Sequence, residues 1–166
     1  MTRPRTVLVI EDGTEYTDAF RNLVATDAAA SIELVRAGDF EEARRALAEL
    51  AVDAVFLDVV FDRVAPEKLV GDREGPIRRF SGDRRRAERH LAENQGFYLL
   101  NELAPLLPGG IPVVIAYDFS VEPERLAALR RRCEQLSGLA DGTPISAVME
   151  SLLARLTSGD TRDGLP

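Results

Sequence analysis

The sequence predicts an α/β fold with a doubly wound parallel sheet of about five strands. Short apolar segments rich in β-branched residues recur along the chain, and segments with helical periodicity alternate with them. The apolar segments lack the alternation of polar and apolar residues that is typical of a sheet with one solvent-exposed face. We therefore expect strands that are covered on both sides. Right-handed crossovers through the helices would then bring the strand ends together along one edge of the sheet.

The first half of the chain contains two predicted helices between its strands. Apolar residues at helical spacing, among them Phe20 and Leu23, predict the first helix. Asp39, with Glu42 three residues later, has the pattern of a capping box and predicts the start of the second helix. The strands of this half are predicted at residues 7–10, 32–35 and 54–57.

From about residue 62 to residue 94 the composition changes to a charged stretch interrupted by glycines, which we interpret as an insertion. Its last part, residues 84–93, predicts a short helix, whereas the earlier part shows no apolar period. Lys and Arg outnumber the acidic residues in it. Three interpretations stay open: a basic flap that covers the acidic pocket or supplies it with a cation, a surface for an acidic partner, or a solvated loop with a surface helix.

Regular periodicity returns at Gly96, where a helix is predicted that ends in a Pro-Gly-Gly turn. Pro123 predicts the start of a further helix, whose apolar side includes Cys133 and Leu136. The space left after that helix is short, so the fifth strand is expected to be reduced or missing. The remaining strand and the last helix are predicted at residues 111–116 and 145–156.

These elements fit one domain over residues 1–157, with the insertion inside it and a flexible tail at 158–166. The formal net charge of −7 argues against sequence-independent binding to nucleic acid. No apolar run near the N-terminus is long enough for a signal peptide or a membrane span, so we expect a cytoplasmic protein without membrane association.

Acidic residues follow two of the predicted strands directly. Glu11 and Asp12 end the first strand, and Asp58 ends the third. Ligands of such sheets bind beyond the carboxyl ends of the strands, and converging carboxylates with only oxygen ligands favour Mg²⁺. Taken singly, the same acids also fit helix caps or solvated turn residues.

The chain resembles response-regulator receiver domains in these segments. The run VLVIED at residues 7–12 is similar to the family's first strand and acidic pair, and VDAVFLD at 52–58 is similar to the strand that carries its phosphoacceptor. Gly96 with Leu99 and Leu100 resembles the third helix, and GIPVVI at 110–115 the approach to the fourth strand. The resemblance implies phosphorylation at Asp58. It also implies a Mg²⁺ site formed by Glu11, Asp12, Asp58 and the main-chain carbonyl of Val60.

Two positions depart from the family pattern. Where the family has a small hydroxyl residue after the fourth strand, this chain has Ala116 and Tyr117. Where it has a lysine before a proline, this chain has Thr143, so the ammonium that would pair with the phosphate is absent. Tyr117 also fits a packing aromatic, and Thr143 a cap of the last helix.

The resemblance implies an atypical stand-alone receiver in phosphorelay signalling, a signalling protein and not an enzyme. Its partner would be a sensor histidine kinase or another signalling protein, with a homodimer left open. The alternative is a pseudo-receiver that binds its partner without phosphorylation. A phosphatase of the haloacid dehalogenase type is disfavoured because Val60 stands where that family needs a second acid.

Overall fold

The computed structural model describes residues 3–26 and 31–159, and its sheet has five parallel strands in the order β2-β1-β3-β4-β5. Every strand pair is parallel, so the predicted doubly wound α/β fold is confirmed. The fifth strand is reduced to two residues, as predicted. The strands are β1 (Arg5–Ile10), β2 (Ile32–Ala37), β3 (Val52–Leu57), β4 (Val113–Ile115) and β5 (Leu136–Ser137).

Helices connect the strands and cover both faces of the sheet. The helix after β2 begins as the capping box predicts: the Asp39 carboxylate accepts from the N–H of Glu42 at 3.0 Å. The Glu42 carboxylate accepts from the N–H of Gly38 at 2.7 Å. The helices are α1 (Glu15–Thr26), α2 (Phe40–Glu49), α3 (Glu74–Arg79), α4 (Arg84–Glu93), α5 (Gln95–Leu103), α6 (Pro123–Arg130) and α7 (Ile145–Gly159).

The central strands β1 and β3 are buried on both faces, which accounts for their continuous apolar sequences. Val7 and Val9 pack in a cluster with residues of α1 and α7. Leu8 and Ile10 point the other way, into a cluster with residues of α2 and α5. All four side chains are fully inaccessible to solvent, so β1 and β3 form a rigid base for the residues that follow them.

The inserted segment is folded and attached to the core. Its helix α4 has the predicted bounds, and α3 precedes it in the part that showed no apolar period. Leu69 and Leu91 are buried in the same cluster as α2 and α5. Lys68 pairs with Asp39 at 2.8 Å. The segment is therefore anchored to the core by a few buried side chains, while most of its residues, including most of those in α4, stay exposed or partly exposed at the surface.

The helix predicted through Cys133 and Leu136 is shorter than expected. Helix α6 ends at Arg130, Cys133 lies buried in a turn, and Leu136 belongs to β5. Leu136 pairs with Val113 in the sheet, and its carbonyl accepts from the Arg130 guanidinium at 2.8 Å. The apolar residues after Arg130 thus reach the core through a turn and a strand, which helical spacing alone did not reveal.

Helix α7 runs two residues past the predicted domain end at 157, and residues 160–166 of the predicted tail lie outside the described residues. Across residues 3–26 and 31–159, no helix is both long enough and apolar enough to span a membrane.

Candidate phosphoacceptor site

Asp58 leaves the centre of the sheet at the carboxyl end of β3. Its N–H donates to the carbonyl of Ile10 at 2.9 Å, which extends the pairing of β1 and β3 by one residue. Because the two strands run parallel and in register here, the residues after Ile10 and Leu57 emerge side by side. The fold therefore brings the backbone of Glu11, Asp12 and Asp58 to the same edge of the sheet.

The Asp58 carboxyl is half-buried and lies among other acids. The pKa of Asp58 is raised to about 6, mainly because burial disfavours its charged form and also because Asp12 and Glu11 carry negative charge, while hydrogen bonds from the backbone N–H groups of Val59 and Val60 oppose the rise. The bond from Val59 to Oδ1 is 2.7 Å long. The backbone thus fixes the Asp58 carboxylate, but its negative charge is only weakly balanced by its surroundings.

Asp12 lies beside this group and faces the same cavity. Its Oδ2 accepts from the backbone N–H of Arg63 at 2.7 Å, and its main-chain carbonyl accepts from the Arg36 guanidinium at 3.0 Å. Within the described residues, Oδ1 of Asp12 accepts no hydrogen bond. That oxygen is available to a ligand.

Glu11 has a different environment from its neighbour. Its side chain is 1% exposed, and its two oxygens accept from the N–H groups of Tyr16 and Thr17 at 3.0 and 2.7 Å. It therefore caps the first turn of α1, the alternative that the sequence left open for acids after strands. Glu11 contributes its charge to the site, while its oxygens are committed to the helix.

A cavity of about 550 Å³ opens above Asp58. One wall comes from the ends of β1 and β3, including Asp12, Asp58 and Val60, and Glu11 does not line it. The opposite wall comes from the ends of β4 and β5, including Ala116, Tyr117 and Thr143. Of the inserted segment only Asp62 and Arg63 reach the cavity, so the segment does not form the covering flap that was one of its three open interpretations.

Tyr117 belongs to an aromatic cluster at the rim of this cavity. Its ring packs edge-on against Phe97 and Phe119, with centroids 5.0 and 4.9 Å away. Its hydroxyl donates to the Glu122 carboxylate at 2.8 Å. Glu122 does not line the cavity, so the phenol is bound away from Asp58, as in the packing alternative.

Thr143 also lines the cavity, on the loop after β5. Its hydroxyl donates to the carbonyl of Ala140 at 2.7 Å, and its N–H donates to the same carbonyl at 3.1 Å. The side chain thus closes a turn of its own loop, and α7 begins two residues later, at Ile145.

The donor set fits a hard divalent cation at two carboxylates, Asp12 and Asp58. Oxygen ligands that are half-exposed at an open cavity suit Mg²⁺, which keeps most of its waters and takes few protein ligands. Across the part of the chain that the structure describes, no three acidic, histidine or cysteine side chains are grouped so that they could hold a metal ion. The expected grouping of three carboxylates is not formed, because Glu11 is used by α1.

Sequence reasoning missed several residues of the cavity. Arg63 and Asp62 come from the start of the insertion, and Asp118 and Asp141 from loops whose path the sequence did not indicate. Asp118 joins those loops: its carboxylate accepts from the N–H groups of Ser120 and Asp141 at 2.7 and 3.0 Å.

Comparison with known proteins shows the same architecture. The receiver domain of the Francisella response regulator 1452 matches with a TM-score of 0.58 at 13% identity, covering 93% of this chain and 98% of that one. A CheY-like receiver domain protein from Methanospirillum hungatei matches with a TM-score of 0.57 at 12% identity, covering 97% and 99%. No family model matches the sequence, and no curated protein does.

A longer protein matches as well. NtrX from Brucella abortus, solved in complex with ATP, has a TM-score of 0.58 at 18% identity over 95% of this chain. The chain spans 28% of that NtrX chain. The chain therefore has the fold of a response-regulator receiver domain. Its structural neighbours are mostly CheY-like receivers of two-component systems.

Proposed function

We propose that this protein is an atypical receiver domain of a phosphorelay, which accepts phosphate at Asp58 with the help of Mg²⁺. Its output would pass through contacts with other proteins, and a sensor histidine kinase or a related signalling protein would be its phosphate donor. The proposed role is signalling and not turnover of a substrate.

One observation carries the proposal: Asp58 lies at the floor of an open cavity beside Asp12, with its charge uncompensated. A carboxylate with a pKa of about 6 is mostly ionised at neutral pH and is a better nucleophile than an ordinary aspartate of lower pKa. The cavity leaves room for a phosphoryl donor above it. An acid that only caps a helix would not need to face an open cavity as Asp58 does.

The reaction follows from this arrangement. An Asp58 oxygen attacks the phosphorus of the donor, the bond from phosphorus to the leaving group breaks, and an aspartyl phosphate forms. Hydrogen bonds from the N–H groups of Val59 and Val60 restrict the orientation of the attacking carboxylate. Asp12, Asp58 and the Val60 carbonyl would hold Mg²⁺, with Glu11 as a charge behind them; when bound, the ion neutralises negative charge on the phosphoryl oxygens.

Incubation with acetyl phosphate and Mg²⁺, followed by intact-mass measurement, tests the proposal. We expect one phosphate to be added to the wild type and none to Asp58→Asn or to samples with EDTA. Asp53 provides a matched control, because it lies on the same strand but pairs with Arg3 at 2.8 Å away from the cavity. Asp53→Asn should be phosphorylated like the wild type. An unmodified wild-type mass would contradict the proposal.

A second candidate is a pseudo-receiver that binds its partner without phosphorylation. It is favoured by Tyr117 and Thr143, whose hydroxyls are bonded to Glu122 and Ala140 and do not serve the Asp58 site. Partner capture by Asp58→Ala distinguishes the two. A pseudo-receiver keeps its partner in this variant, whereas a phosphorylation-dependent receiver loses it.

A further inference from the structure

The cavity above Asp58 contains one cationic side chain among the residues that the structure describes. Arg63 lines it together with six acids. A phosphoryl group carries two negative charges that this wall would repel, and the lysine that receivers would offer it is replaced by Thr143. The acids lining the cavity are Asp12, Glu15, Asp58, Asp62, Asp118 and Asp141.

The backbone of Arg63 is fixed at the site itself. Its N–H donates to the Asp12 carboxylate at 2.7 Å, so the residue is attached to the acid that lies next to Asp58. The side chain starts at the cavity wall and has a flexible stem. The guanidinium can therefore change its partner while the backbone of Arg63 stays bonded to Asp12.

The guanidinium now pairs with Glu15, the first residue of α1, which also lines the cavity. The two groups are 2.5 Å apart, and the pair lies over Gly13, where a Cβ atom would overlap both side chains. Both side chains are more than half exposed, 58% for Arg63 and 62% for Glu15. Exposed pairs of this kind contribute little to stability, so the guanidinium is released at small cost.

We infer that Arg63 is the phosphate-binding cation of this site. On phosphorylation its guanidinium would release Glu15 and pair with the phosphoryl group on Asp58. This inference rests on the proposed function and adds the residue that replaces the missing lysine. A dianionic phosphoryl group competes with the single charge of Glu15, and a guanidinium binds phosphate oxygens in pairs with good geometry. Arg63 would then stay paired with Glu15 for as long as Asp58 is unphosphorylated.

The rate of acetyl phosphate labelling in Mg²⁺ tests the inference. Arg63→Ala keeps the backbone bond to Asp12 and should slow labelling of Asp58 by about tenfold or more, with Arg63→Lys intermediate. Glu15→Gln frees the guanidinium and should label at least as fast as the wild type. Arg44→Ala is the matched control, since Arg44 is an exposed arginine paired with Glu41 at 2.8 Å far from the cavity.

The outcomes separate this inference from the proposed function. Labelling of Arg63→Ala within twofold of the wild type overturns the role of Arg63 and leaves phosphorylation of Asp58 standing. A wild type that takes up no phosphate overturns both. Circular dichroism of each variant shows whether it is folded, and slow labelling of folded Arg63→Ala that Lys partly restores supports the inference.

Discussion

The two walls of the cavity above Asp58 differ in the groups that they present to the open space. At the ends of β1 and β3, Asp12 and Asp58 face the open space, and the backbone of Val59 holds the acceptor carboxylate. At the ends of β4 and β5, Tyr117 and Thr143 direct their hydroxyls to Glu122 and Ala140. The first wall thus presents carboxylates to the cavity, whereas the hydroxyls of the second wall are bonded to groups of its own loops.

The difference follows from how the two walls are built. The first wall is built on the central, fully buried strands, so its geometry is fixed by the core. The second rests on strands of three and two residues and on loops. Loops tolerate change better than a buried sheet does, and the second wall is where this chain departs from the receiver pattern.

The largest expected effect comes from packing behind the first wall. Gly96 lies so close to the main-chain carbonyl of Asp58 that a Cβ atom would overlap it. Gly96→Ala should lower the free energy of unfolding by about 2–3 kcal/mol, even though alanine favours the helix. Gly142 on the second wall has open space around it and a φ of 75°, so Gly142→Ala should cost only about 1 kcal/mol. Urea denaturation measures both, and equal losses would contradict the difference in packing.

A smaller effect follows from the charge of Asp58. Because its pKa is raised to about 6 in the folded protein, the stability that its proton contributes is complete below about pH 4 and is lost as pH rises through 6. Asparagine does not ionise, so the Asp58→Asn variant does not lose stability in this way as pH rises. It should be more stable than the wild type by about 1–2 kcal/mol in metal-free buffer near pH 8, after allowance for solvent screening, and no more stable near pH 4.

The second wall provides the control for that prediction. The N–H groups of Ser120 and Asp141 lower the pKa of Asp118, so its ionised form stabilises the fold above its ordinary pKa of 3.8, and this stability is lost as pH falls through the lowered value. Asp118→Asn should therefore destabilise the protein near pH 8, opposite in sign to Asp58→Asn. Thermal melts across pH measure both, and a shared sign would contradict the contrast between the walls.

The smallest effect is expected for Tyr117→Phe. The variant keeps the ring contacts with Phe97 and Phe119 and removes only the bond to Glu122. Labelling of Asp58 by acetyl phosphate should stay within twofold of the wild type, and the melting temperature within about 2 °C. A large fall in labelling would mean that the phenol reaches the phosphoryl group after all.

The fold was predictable because its signals are local and agree with one another. Continuous apolar strands, the Asp39 capping box and the helix at residues 84–93 each depend on a few neighbouring residues. The end of α6 was missed because the apolar residues after Arg130 keep helical spacing while they enter a turn and β5.

The site was predictable only in part. Asp12 and Asp58 follow from strand ends that must meet, but Glu11 has the same sequence context and caps α1 instead. The path of the chain into α1 decides which of the two adjacent acids faces the cavity and which one caps the helix. The sequence does not specify that path. A cation supplied to the pocket by the basic insertion was one of the open interpretations, but the sequence did not indicate that Arg63 is the basic residue of the insertion that reaches the cavity.

Cation binding at Asp12 and Asp58 tests the central claim most directly. In a Mn²⁺ titration followed by NMR, we predict selective broadening of the amide signals of residues 12 and 58–60, reversed by excess Mg²⁺ and lost in Asp12→Asn and Asp58→Asn. Broadening that is unchanged in Asp58→Asn, or that is spread over all acidic surfaces alike, would contradict a shared cation site at the end of β1 and β3.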